Sequence, residues 1–124
     1  HNIYHSWSWT GGHNDGDADF LAVALREAKE ETGLAEVHAL AKQPLSLDVL
    51  PVWGHIKRGA YVAPHMHLSL AYVLLAEESQ PLHSKPGENS GVRWIALDAL
   101  ATECGEAQML PVYEKLICRA MAEN

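Results

Sequence analysis

The reading turns on the stretch Arg26-Glu27-Ala28-Lys29-Glu30-Glu31-Thr32-Gly33. Upstream of it, Phe20, Leu21, Ala24, Leu25 and Ala28 recur at helical spacing, so one helix is predicted from the region of Phe20 to Thr32. Asp17 or Asp19 can cap its start, and Gly33 can adopt the left-handed conformation that ends it. On such a helix Glu27, Glu30 and Glu31 stand at i, i+3 and i+4, which puts three carboxylates on one face. Like charges at that spacing cost about 0.2–0.5 kcal/mol per pair. Arg26, four residues before Glu30, offsets part of the repulsion. A hard divalent cation offsets more, because Mg²⁺ and Mn²⁺ prefer carboxylate oxygens and bridge to phosphates. The ordinary alternative for a charge run is a solvated, salt-bridged helix face.

The flanks of the helix narrow the choice. Gly12 stands ahead of it, the seven residues from Asp19 to Leu25 precede Arg26-Glu27, and Glu30-Glu31-Thr32-Gly33-Leu34 follows. This arrangement resembles the box of the Nudix hydrolase family, G-x5-E-x7-R-E-U-x-E-E-x-G-U, where U is aliphatic. Ala28 stands at the first U, smaller than usual but compatible. One position departs: the glutamate expected six residues after Gly12 is Ala18, flanked by Asp17 and Asp19. Those two aspartates can substitute for it only in part. The departure keeps in view a catalytically weak domain that senses a nucleotide.

The resemblance implies an α/β fold, a Nudix-type α/β/α sandwich with a mixed β-sheet between helices. It implies a metal-dependent hydrolase that cleaves the diphosphate linkage of a nucleoside diphosphate derivative, with Mg²⁺ or Mn²⁺ as cofactor. Carried over by position, Glu27, Glu30 and Glu31 are the expected metal ligands, with Glu30 and Glu31 nearest the catalytic cation. The carbonyl of Gly11 is an expected backbone ligand, and Arg26 is expected to orient Glu27 by a charge-assisted hydrogen bond. A general base in this family often comes from a later loop. Glu88, in Gly87-Glu88-Asn89-Ser90, is the candidate here, with an exposed loop glutamate as the plain alternative. Family members usually carry strands before the box, whereas about ten residues precede it here. The expectation is therefore a single Nudix domain over 1–124, truncated at its N-terminus, since the chain also starts without Met. Nudix sheets frequently pair into homodimers.

Composition agrees with a globular domain. The chain has 124 residues, 48% of them hydrophobic and 20% charged, with a formal net charge of −7. That excludes a disordered acidic chain, and the acidic balance argues against nucleic acid as a partner. A small nucleotide-like substrate remains open, because a cation can mediate contact with its phosphates. No apolar run approaches the ~18 residues a membrane span needs. The two cysteines, Cys104 and Cys118, form no C-x-x-C motif and read as reduced thiols. With no leader visible in these residues, a cytoplasmic location is expected.

Along the chain, Ile3 to Thr10, Val37 to Leu40, Leu45 to Val52, His65 to Leu75 and Val92 to Ile95 are predicted strands. Gly54 to Gly59 is predicted as a hairpin loop, and Met109 to Met121 as a C-terminal helix with Leu110, Tyr113, Leu116 and Ile117 on its packing stripe. Lys57 and Arg58 are candidates for meeting substrate phosphates as point charges, with solvated loop charges as the alternative. Trp7 and Trp9 can stack on a base but are more often core or interface, and Trp94 reads as core.

His65 and His67 share one strand face and, with His5, His13 and His55, invite a zinc reading, although no pattern fixes a third ligand. Histidines lining a cleft are the plainer alternative, and His67 is a candidate substrate contact. The isopentenyl diphosphate isomerases, which share the Nudix fold, also place a histidine after a glycine here. They lack an intact R-E-x-x-E-E run, which this chain has.

Overall fold

The computed structural model describes residues 8–84 and 91–123. Helix α1 runs Phe20–Thr32, as predicted, and its ends are set by local chemistry. Asp19 is the N-cap: its carboxylate accepts the backbone N–H of Ala22 at 3.1 Å. Gly33 ends the helix at φ 76°, its N–H bonded to the carbonyl of Lys29. An ideal Cβ built at Gly33 would lie 2.8 Å from the backbone nitrogen of His83, so both conformation and space call for glycine there. The helix buries Val23 and Ala28.

The strands are β1 (His38–Ala39), β2 (Ser46–Val52), β3 (His55–Lys57), β4 (Ala60–Val62), β5 (His65–Ala71) and β6 (Leu74–Leu75). Among the described residues they pair as three antiparallel ribbons, β1 with β6, β2 with β5 and β3 with β4. The architecture is α/β, yet the expected mixed sheet is not continuous in these residues. Part of the reason is visible in the backbone. The N–H of Leu40 bonds to Val73 O and that of Leu45 to Ala71 O. Ala41-Lys42-Gln43-Pro44 therefore loops out opposite the break between β5 and β6, and Pro44 has no N–H to offer a ladder. The long strand predicted over His65 to Leu75 is split at that place.

Further expectations are corrected. The predicted loop Gly54 to Gly59 contains β3, and the reversal itself is confined to Arg58 and Gly59, both at positive φ. Val92 to Ile95 is not a strand. Trp94, expected in the core, is 45% exposed, because no ribbon holds that segment against the packed elements. The strand predicted from Ile3 falls mostly outside the described residues, as does Trp7. Ser8 to Thr10 is not strand.

A single-turn helix α2 (Leu100–Glu103) and helix α3 (Leu110–Glu123) complete the domain. Pro111 sits in the first turn of α3, where its missing N–H costs no helical bond. The core gathers Ala71, Met109, Val112 and Leu116, with Trp9, Leu45, Leu50, Val73, Cys104 and Tyr113 packed around it. Val112 is buried although it lies off the predicted stripe. Polar clamps fasten α3 to β2. Lys115 Nζ pairs with the Asp48 carboxylate, and Arg119 donates to the carbonyl of Leu45 at 2.6 Å. Among the described residues no helix is long and apolar enough to cross a membrane, and Cys104 and Cys118 are free thiols.

Candidate active site

The site is organised by a short thread of chain, Trp9 to His13, that touches three elements in five residues. Trp9 leans edge-on against Tyr113 of α3, ring centroids 5.5 Å apart, and its N–H donates to the Tyr113 hydroxyl at 3.3 Å. Burial pushes the Tyr113 phenol up, which keeps it neutral in this contact. Gly11 and Gly12 then lie along α1. The Gly11 N–H donates to Glu31 Oε2 at 3.1 Å. An ideal Cβ at Gly12 would stand 2.7 Å from the Glu27 carboxyl carbon. Any side chain there would have to displace that carboxylate, so Gly12 is the residue that admits Glu27 to the loop. His13 ends the thread against His67 of β5, ring centroids 5.1 Å apart and nearly perpendicular.

Glu27 and Glu31 border this thread, and Glu30 shares their face of α1 by helical spacing. Glu27 is sheltered, with 15% of its side chain exposed, and Arg26 Nη2 lies 3.8 Å from its Oε1. That is a Coulombic contact, longer than the hydrogen bond expected between them. The donor set suits a hard cation in kind: carboxylate oxygens on one helical face beside a glycine loop. Among the described residues, however, no three ligand-type side chains already surround one point. Glu27 is turned to Gly12 and Glu31 to the Gly11 N–H, which spreads like charges along the helix. Gly11 takes part through its N–H, a use the sequence did not suggest.

The flanking aspartates bear on Ala18. Asp17 accepts the N–H of Asp19 at 2.9 Å, and Asp19 caps the helix. Both carboxylates accept a backbone N–H in local turns, Asp17 from Asp19 and Asp19 from Ala22. Glu88 lies outside the described residues. Lys57 and Arg58 are exposed on the β3–β4 hairpin, and among the described residues no hydrogen bond or ion pair ties either to the box. His67 is half-buried. Burial first, then the neighbouring His65 and His13, holds its imidazole below the usual value and favours the neutral ring.

The NUDIX domain model matches residues 1–116, and the chain belongs to the Nudix family. The match supports the α/β fold and a general pyrophosphohydrolase-type activity on phosphorus anhydrides, and the family generally uses a divalent metal, typically Mg²⁺. No curated protein matches the chain.

Proposed function

We propose that this domain hydrolyses the diphosphate linkage of a nucleoside diphosphate derivative in the cytoplasm, with Mg²⁺ or Mn²⁺ as its cofactor. The observation that carries the reading is the carboxylate face of α1 lying against the Gly11–Gly12 loop, with Glu27 sheltered and Arg26 beside it. Glu27, Glu30, Glu31 and the Gly11 carbonyl hold the cation. When bound, the ion neutralises diphosphate charge and lowers the pKa of a coordinated water. Arg26 lies beside the Glu27 carboxylate as its ion-pair partner, and the glycine thread fixes the distance between loop and helix. Glu88 is the proposed base for the attacking water, and Lys57 and Arg58, with His67 when its ring holds no metal, are the proposed contacts to substrate.

The test is phosphate release over a panel of nucleoside diphosphate derivatives with Mg²⁺, Mn²⁺ or EDTA. Cleavage that requires the metal supports the reading. Absence of cleavage for every member of a broad panel would sink it.

One observation favours a second reading, a weakly catalytic sensing domain. Ala18 removes a box carboxylate, and the aspartates on either side are occupied in capping and turn bonds. If that loss limits the rate, Ala18→Glu raises turnover several-fold. A silent Ala18→Glu in an active enzyme would dispose of this reading.

A further inference from the structure

The chemistry of β5 at its N-terminal end differs from that of the box. His65 Nδ1 lies 2.8 Å from the carbonyl of Ala63. A carbonyl oxygen only accepts, so Nδ1 carries the proton, and in the neutral ring the lone pair resides on Nε2. That Nε2 accepts from His67 Nε2–H at 2.8 Å, with the rings 4.6 Å apart, and His67 takes its other tautomer, protonated at Nδ1, when both Nε2 atoms bind an ion. The two nitrogens converge because β5 alternates, which puts His65 and His67 on one face of the ribbon opposite Val52 and Leu50. His13 meets His67, though not His65, from the box loop. A backbone carbonyl holding one imidazole nitrogen so that the other presents its lone pair is how proteins prepare a histidine for a metal. The arrangement does not suit an anion, since a neutral His65 offers Nε2 as an acceptor.

We propose that His65 and His67, through Nε2 and with His13 turning in as a third ligand, form a binding site for a borderline transition-metal ion of the Zn²⁺ class, separate from the carboxylates of α1. Zinc–nitrogen bonds of about 2.0–2.1 Å in a tetrahedral site place neighbouring nitrogens roughly 3.3 Å apart. The observed pair needs to open by roughly half an ångström to match that spacing, a small rotation for exposed His65. Two or three imidazoles with water completing the shell select Zn²⁺, Ni²⁺ or Cu²⁺ over Mg²⁺, as nitrogen donors do. The ion would tie the loop holding Gly11 and Gly12 to β5. It would thereby link the position of the box loop to a metal that the carboxylates do not choose.

The experiment is calorimetric titration of the untagged, EDTA-stripped chain with Zn²⁺ while Mg²⁺ is held in excess. Wild type is expected to bind about one equivalent. His67→Gln and His65→Gln should each weaken Zn²⁺ by about tenfold or more, and Glu30→Gln should leave it unchanged. Melting of each metal-free variant by circular dichroism shows whether it is folded. Exposed His65 provides an independent check if His67→Gln is not. Absence of Zn²⁺ binding, affinity indifferent to both histidines, or affinity lost with Glu30→Gln would overturn the proposal. Mg²⁺-dependent hydrolysis is read separately by phosphate release, so failure of the histidine site and failure of the hydrolase reading are distinguishable.

Discussion

Helix α1 and the β2–β5 ribbon are both amphipathic in sequence, yet they present their faces in different ways. In α1 Val23 and Ala28 are buried while Phe20, at its first turn, is 42% exposed, and caps at Asp19 and Gly33 fix both ends. In the ribbon the more apolar face is the exposed one. Leu47 is 60%, Val49 59%, Met66 60% and Leu68 72% exposed. The opposite face packs on α3 and holds Ser46, Asp48, Ser69 and Ala71, with Leu50 as its large apolar member. Small and paired polar residues let α3 approach closely. Asp48 is satisfied by Lys115 and by the Ser46 hydroxyl, so its burial does not leave a charge unpaired. Hydrophobicity alone orients a helix that has one core to face, and it does not orient a two-stranded ribbon with only one face covered.

The largest expected effect lies on the α1 side. Glu30→Gln should lower turnover by about 100-fold or more, as losing a charge that stabilises a transition state does. Its melting temperature should stay within a few degrees, because one of three repelling carboxylates is neutralised. If activity and fold are lost together, the glutamates are structural and the contrast between the two regions fails.

Gly33→Ala comes next. A side chain at φ 76° against the His83 backbone should cost about 2 kcal/mol. In a domain of this size that is roughly 8 °C by thermal denaturation. Gly12→Ala sharpens the same side. Its Cβ displaces the Glu27 carboxylate, so activity should fall roughly tenfold while stability changes by under ~1 kcal/mol.

On the ribbon side the effects are smaller. Lys115→Met should cost about 1 kcal/mol at neutral pH. The bond from Lys115, then that from Ser46, holds the Asp48 carboxyl below its ordinary 3.8. The stabilisation is therefore full above that value and is lost as pH falls through the lowered one. The gap between wild type and Lys115→Met in urea denaturation should close in acid. The least effect is expected from Leu68→Ser, under ~0.5 kcal/mol, since the side chain is 72% exposed. A large loss there would mean that the apolar face is covered in solution.

The same contrast explains what could be read from the sequence. The span of α1, its cap and its terminal glycine were legible because each depends on residues within one or two turns. The carboxylate face followed from the helical period, and the family from the spacing of Gly12, Arg26, Glu27, Glu30, Glu31 and Gly33. Trp94 was misread because burial depends on which distant element covers a segment, and an aromatic residue carries no record of that. The break between β5 and β6 depends on how the 40–45 connection is accommodated opposite it. The Gly11 N–H bond to Glu31 and the Asp48–Lys115 clamp join residues 20 and 67 positions apart, beyond any local pattern.

The account rests on the box carboxylates as the holders of the catalytic cation. Electron paramagnetic resonance of Mn²⁺ titrated into wild type, Glu27→Gln, Glu30→Gln and Glu31→Gln tests this directly, because free and bound Mn²⁺ give different signals. Wild type should remove Mn²⁺ from the free pool, each substitution should weaken that binding by about tenfold or more, and added Mg²⁺ should displace the ion. Mn²⁺ binding of equal strength in wild type and all three variants would contradict the assignment of the site.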